Sequence, residues 1–189
     1  LAGFPEITVR GKKGQKITLL VSESLTDEGA CNQRQTGRQH YYEYTLKGEG
    51  VETWHPRFSY YGFRYIQVEG AVLKGQKNPH RLPVIQKIQS CFVYNSAPKV
   101  STFQCSNRIF NEAHRLIEKA VRSNMQSVFT DCPHREKLGW LEQDHLCGPG
   151  LLYNYDLTGF LPQTLQNIAD AQHANGAVPT TAPEYVVFE

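Results

Sequence analysis

The sequence predicts an α+β chain in two parts, a jelly-roll-like β-sandwich over residues 1–98 and a helical segment over residues 99–189. Two observations carry this expectation. Up to about residue 95 the apolar positions alternate, are β-branched or aromatic, and are broken by glycines. After Ala97-Pro98 they recur in steps of three and four. The size is consistent: 189 residues with 40% apolar and 20% charged side chains is ordinary globular composition, enough for a core in each part.

Taken in order, "EITVRGKKGQKITLLVSESL" reads as two strands around a Gly-Lys-Lys-Gly turn. "HYYEYTLKGEGVETWHPRFSYYGFRYIQVEG" continues the alternation, interrupted at Gly-Glu-Gly and Tyr-Tyr-Gly. "RLPVIQKIQSCFVYNS" supplies either a strand pair or one long bent strand. From Cys105 to Phe129 a helical stripe runs through Ile109, Phe110, Ala113, Leu116, Ile117, Ala120 and Val121. Ser106 is placed to cap it, and Glu118 with Arg122 forms a supportive i, i+4 pair. A second helix is expected over Thr158 to His173, with Phe160, Leu161, Leu165, Ile168 and Ala169 on one face and Asn175-Gly176 as its stop. Between them Leu141 to Tyr155 is a possible third helix, although Gly148-Pro149-Gly150 should break it by local rules.

Composition excludes several functions. A formal charge of +2 without a Lys/Arg run gives no field for nucleic acid. The apolar stretches are far shorter than a membrane span. No charged start followed by an apolar run marks an export signal. The chain begins without methionine and ends on the strand-like "APEYVVFE", which suggests a piece of a longer protein. Cys31, Cys91, Cys105, Cys132 and Cys147 are irregularly spaced and read as buried small hydrophobes rather than a disulfide framework.

The chemistry concentrates in "TDCPHREKLGWLEQDHLCG", residues 130–148. Cys132, His134, His145 and Cys147 offer four soft ligands for zinc, but lack the usual pairing of cysteines two to four apart. A catalytic thiol at Cys132 would lack a Cys-x-x-Cys partner. A solvated loop is the plain alternative. Leu138-Gly139-Trp140 counts against it, because the segment is costly to expose and holds one of only two tryptophans. A tryptophan set among Asp131, Arg135 and carboxylates suits a sugar, whose apolar face stacks on a ring while its hydroxyls bond charged groups. Glycoside cleavage needs one carboxylic acid to protonate the leaving oxygen and a second carboxylate across the ring. Asp131, Glu136, Glu142 and Asp144 could each be the first.

The ten residues "DCPHREKLGW" resemble the Asp-Cys-Pro-x-Arg-(x)-Glu-Arg-Leu-Gly-Trp signature of the bacterial alpha-L-rhamnosidases, an inverting glycoside hydrolase family (family 78). "FNEAHRLIEKAVRSNMQSVF" before it, "YNYDL" and "NIADAQHANGAVPTTAP" after it, and "ETWHPRFSYYGFRYIQVEG" upstream are similar to the same family. The resemblance implies that residues 99–189 open an (α/α)6 barrel. It implies that Glu136 is the general acid, that Asp131 and Arg135 bind sugar hydroxyls, and that Trp140 walls the pocket. The family's usual Leu-Gly-Trp-Thr-Gly-Asp ends on an aspartate whose column here holds Gln143, with Glu142 before it and Asp144 after it; Gln143 and Asp144 are therefore candidate sugar contacts. Implied with these are a substrate bearing terminal alpha-L-rhamnose, a periplasmic or extracellular setting, no cofactor or metal, and a general base beyond Glu189. A piece without that base should be inactive alone and prone to self-association.

Two tensions stay open at this level. Arg135 and Lys137 flank Glu136 and favour its ionised form, whereas an acid needs burial or a negative neighbour. The sandwich could also be a carbohydrate-binding module in its own right, although Trp54, Phe58, Tyr60 and Tyr61 read better as core and edge-strand residues.

Overall fold

The computed structural model describes residues 1–34, 36 and 39–187. The chain divides into two compact units, Leu1–Val93 and Tyr94–Glu189.

The first unit is a sandwich. Its strands are β1 (Ala2–Arg10), β2 (Lys16–Ser22), β3 (Tyr41–Thr45), β4 (Val51–Trp54), β5 (Tyr61–Gly62), β6 (Tyr65–Glu69), β7 (Val72–Leu73) and β8 (Val84–Phe92). One sheet runs β4-β1-β8-β7 with β5 beside the start of β1; the other runs β3-β2-β6. The alternation seen in sequence puts Ile7 and Val9 of β1, Ile17, Leu19 and Val21 of β2, and Ile85 of β8 into one core. The region "RLPVIQKIQSCFVYNS" is one long strand, antiparallel to β1, with a register shift opposite Thr8 and Val9.

β2 and β3 pair antiparallel, but β1 does not form a hairpin with β2, nor β3 with β4. The Gly-Lys-Lys-Gly turn carries the chain from the first sheet to the second, and Gly-Glu-Gly carries it back. At the second crossing Gly48 has φ 82°, and a Cβ there would lie 2.4 Å from the Lys13 nitrogen, so only glycine fits. The buried Glu52 carboxylate fixes this crossing. It accepts the Tyr44 hydroxyl at 2.5 Å and the Lys47 and Gly48 N–H groups at 2.9 and 2.8 Å.

Trp54 stacks on Tyr44 with ring centroids 4.9 Å apart, and both Trp54 and Tyr61 pack on the core. Phe58 differs from the expectation of a core or edge-strand residue: it is wholly exposed, in a loop, at φ 56°. Among the cysteines only Cys31 is fully buried, and all five are free.

The second unit holds α1 (Arg108–Asn124), α2 (Leu141–Asn154) and α3 (Phe160–Ala171). The cap of α1 is Asn107 rather than Ser106; its side chain accepts the Ile109 N–H at 2.9 Å. Glu118 does not pair with Arg122. It binds Lys99 and, at 3.1 Å, His114, while the Arg122 guanidinium lies 3.9 Å from the Tyr94 ring centroid. α2 runs unbroken through Gly148-Pro149-Gly150. Proline in a helix interior costs about 3 kcal/mol, and burial of Leu151 and of Tyr155 just beyond the helix offsets it. The core of this unit is small: Met125, Phe129, Leu151, Tyr155, Leu157 and Phe160.

The apolar stripe of α1 is largely outside that core, with Ile109, Phe110, Leu116 and Ile117 all exposed. α3 turns Phe160 and Thr164 inward and leaves Leu165 and Ala169 exposed, so its predicted face is shifted. Residues 182–187 form no strand; Phe188 and Glu189 lie outside the described residues.

Leu19→Ala should destabilise the first unit by about 2–5 kcal/mol, because Leu19 is fully buried between the sheets. Urea unfolding followed by circular dichroism measures it. A loss below about 1 kcal/mol would show that Leu19 is not central to that core.

Candidate active site

The motif loop runs from the end of α1 to the start of α2 and is pinned at both ends. Thr130, buried, gives its N–H to the Asn124 carbonyl at 3.0 Å, and its hydroxyl to the Asn124 side-chain oxygen at 3.1 Å. At the other end Ala182 donates to the Gly139 carbonyl at 2.9 Å and Leu141 donates to the Thr180 carbonyl at 3.1 Å. Trp140 therefore faces Thr181 in a short antiparallel bridge. Gly139 is required there, since a Cβ would lie 2.5 Å from the Ala182 carbonyl oxygen. Lys137 sits at φ 56°, a strained conformation for a long side chain, between Glu136 and the buried Leu138.

Between these pins the loop gathers its charged groups. Arg135 Nε donates to Glu136 Oε2 at 2.9 Å. Oxygens of Asp131 and Glu136 and the Cys132 sulfur all lie within 4.8 Å of one another. Burial pushes the Glu136 carboxyl up, but the hydrogen bond and charge of Arg135, with the neighbouring Asp131 and Trp140 side chains, outweigh it, and its pKa falls below the ordinary glutamate value. In return Glu136 raises the Arg135 guanidinium above its own usual value. Free Glu136 is thus an anion at neutral pH.

Asp144 behaves oppositely. It lies in the first turn of α2, where the helix dipole favours an anion. Burial nevertheless pushes its pKa up to about 6. Gln143 lies half-buried beside it in the same turn, its N–H bonded to the Trp140 carbonyl at 3.1 Å.

The residues singled out in the sequence thus fall on one continuous feature. Asp131, Arg135 and Glu136 are on the loop, Trp140 is at its exit, and Gln143 and Asp144 are on the helix it leads into. The zinc alternative is not assembled. Cys132 lies with the carboxylates while Cys147 packs on the core beside Leu151 and Tyr155, and Asp131, Cys132 and Glu136 are the convergent group among the described residues. The sequence reading missed the segment 180–182 as part of this feature. It has no apolar periodicity, and only the backbone bridge reveals it. His173 and Glu184, 3.3 Å apart, close the same segment on itself.

Residues 1–94 match the family model described as bacterial alpha-L-rhamnosidase concanavalin-like domain, and residues 98–188 match the bacterial alpha-L-rhamnosidase 6 hairpin glycosidase domain. The chain belongs to the bacterial alpha-L-rhamnosidase family. It is 32% identical over 174 residues to an alpha-L-rhamnosidase of Formosa agariphila, covering 89% of this chain and 17% of that protein. The Streptomyces avermitilis alpha-L-rhamnosidase solved in complex with L-rhamnose is 30% identical, with a TM-score of 0.81, over 98% of this chain and 18% of that one. An Aspergillus terreus alpha-L-rhamnosidase is 33% identical with a TM-score of 0.82, over 97% of this chain and 21% of that one. The sandwich and the helical unit of this chain therefore correspond to two consecutive domains of the family, and the chain spans less than a quarter of these relatives.

Asp144 gives the helical unit a pH-dependent stability of definite sign. Folding favours its neutral form, so the stabilisation is complete below the ordinary value of 3.8 and is lost as pH rises through about 6. Asp144→Asn should therefore raise stability at about pH 7 by about 1–2 kcal/mol, allowing for partial contact of the carboxyl with water, and the gain should shrink toward about pH 4. Thermal melts of both proteins across that range test it; a constant difference would show that Asp144 does not titrate as described.

Proposed function

We propose that this chain supplies the acid side of a site that hydrolyses the bond of a terminal alpha-L-rhamnose in an oligosaccharide or glycoside, with inversion. The observation that carries the reading is the clustering of Asp131, Arg135 and Glu136 next to Trp140 on a loop pinned at both ends. Trp140 offers a ring to the apolar face of the sugar, and Asp131 and Arg135 offer an acceptor and donors to its hydroxyls. Gln143 and Asp144, in the first turn of α2 just after Trp140, are further candidate sugar contacts. Glu136 is the proton donor to the leaving oxygen.

Glu136 can take that role although it is ionised in the free site. Its low pKa is due to hydrogen bonds that a bound sugar would compete for, above all the one from the exposed Arg135. Burial is already the largest single influence on Glu136 and acts upward. A sugar that engages Arg135 and expels water shifts the balance toward the protonated acid. Asp131 is not the partner base: inverting carboxyls stand about 6.5–9.5 Å apart to admit water, and Asp131 and Glu136 oxygens lie within 4.8 Å. The base is a carboxylate outside the motif loop.

Glu136→Gln in the intact protein should lower turnover of a rhamnose disaccharide about 10²–10⁴-fold, and affect an activated aryl rhamnoside less. Near-normal turnover of the disaccharide would remove Glu136 from the acid role. The 189-residue chain alone should release no rhamnose, because it would lack the base, and should associate through the exposed face of α1. Each large apolar side chain left in water forfeits about 1.5–3 kcal/mol. Sedimentation velocity should show mass rising with concentration. A strictly monomeric chain, or measurable rhamnose release by it, would contradict this assignment.

A further inference from the structure

Trp140 and Thr181 face each other in an isolated antiparallel bridge. The two backbone hydrogen bonds of that bridge belong to their neighbours: Ala182 donates to the Gly139 carbonyl at 2.9 Å, and Leu141 donates to the Thr180 carbonyl at 3.1 Å. Trp140 and Thr181 are thus a non-hydrogen-bonded pair. In that arrangement opposed residues come closest, with Cα atoms about 4.5 Å apart and both side chains on one face. Thr181 is 0% exposed, so its side chain is wholly enclosed. Among the described residues its hydroxyl has no hydrogen-bond partner. The bridge has little room to slide. A Cβ on Gly139 would stand 3.2 Å from a Val128 side-chain carbon and 2.5 Å from the Ala182 carbonyl oxygen, and Leu138 and Ala182 on either side are buried.

We propose that Thr181 is a positioning residue for the sugar wall: its branched side chain packs beside Trp140 and fixes the angle of the indole by shape, and its hydroxyl is not used. An enclosed hydroxyl without a partner has given up its hydration for nothing in return, so what Thr181 contributes is its rigid, β-branched outline. The wall needs that support. An indole meets the apolar face of a sugar only at one inclination, and a ring free to turn about its side-chain torsions loses that freedom on binding, and affinity with it. Thr181 then serves the sugar site without touching the sugar, from which its full enclosure excludes it. The proposal rests on the reading of Trp140 as that wall.

The test compares two variants of the intact protein. Thr181→Val keeps the branched shape and drops the hydroxyl; Thr181→Ser keeps the hydroxyl and drops the methyl. Neither adds a heavy atom, so both fit the enclosed site. With an aryl alpha-L-rhamnoside, Thr181→Ser should raise KM about three- to tenfold. Its kcat should change less, as loss of a contact shared by ground and transition states requires. Thr181→Val should match the wild-type KM. A wild-type KM in Thr181→Ser, or a rise in Thr181→Val, overturns the proposal and leaves the glycosidase reading intact. A second readout needs no substrate. Oxidation of Trp140 by N-bromosuccinimide, followed by peptide mass spectrometry, should be several-fold faster in Thr181→Ser than in the wild type or Thr181→Val. Equal rates in all three proteins overturn the proposal, whatever they cleave. Failure of the intact wild-type protein to cleave or bind any rhamnoside overturns the glycosidase reading and this proposal with it.

Discussion

Two backbone hydrogen bonds hold the candidate site in place, from Ala182 to the Gly139 carbonyl and from Leu141 to the Thr180 carbonyl. They fix the direction in which Trp140 leaves the loop, and they set the first residue of α2. Without them the loop between Thr130 and Leu141 would be anchored at one end only, and its charged side chains would sample many arrangements at an entropic cost to any one of them. The absence of a side chain at Gly139 lets the two segments approach this closely. The conformation of Lys137 is the local cost of that geometry.

Within this frame one physical effect, exclusion of water, acts on two carboxyls with opposite outcomes. Both Glu136 and Asp144 are pushed toward the neutral form by burial. Glu136 also has the hydrogen bond and charge of Arg135 and the neighbouring Asp131 and Trp140 side chains, which favour its anion and prevail. Asp144 receives no such contribution, and burial alone sets its state. The divergence arises both from hydrogen-bond supply and from the deeper burial of Asp144.

The architecture was largely legible in the sequence, because period-two and period-3.6 patterns report directly on which face of an element is buried. The strand-bearing stretches followed from it, while residues 81–96 allowed either a strand pair or one long strand, and the structure has the long strand β8. Pairing did not follow. Gly-Lys-Lys-Gly and Gly-Glu-Gly look like hairpin turns but join different sheets, and nothing local distinguishes a turn within a sheet from one between sheets. Asn107 displaced Ser106 as the cap of α1 by a single residue, within the ordinary uncertainty of helix ends. Glu118 chose Lys99 and His114 over Arg122 because Lys99, distant in sequence, is brought to it by the fold. The motif loop was visible as a cluster of chemistry, whereas its partner at 180–182 was not, since backbone bridges leave no mark on residue type.

The two units differ in how far they satisfy themselves. The sandwich closes its core between two sheets, with Ile7, Val9, Ile17, Leu19, Val21 and Ile85 all buried. The helical unit gathers Met125, Phe129, Leu151, Tyr155, Leu157 and Phe160 into one core and leaves Ile109, Phe110, Leu116 and Ile117 on one helix exposed. It also carries Pro149 inside α2, a cost of about 3 kcal/mol. A helix that keeps a wide apolar stripe, and another that tolerates an interior proline, are consistent with stabilisation by tertiary contacts rather than by local propensity.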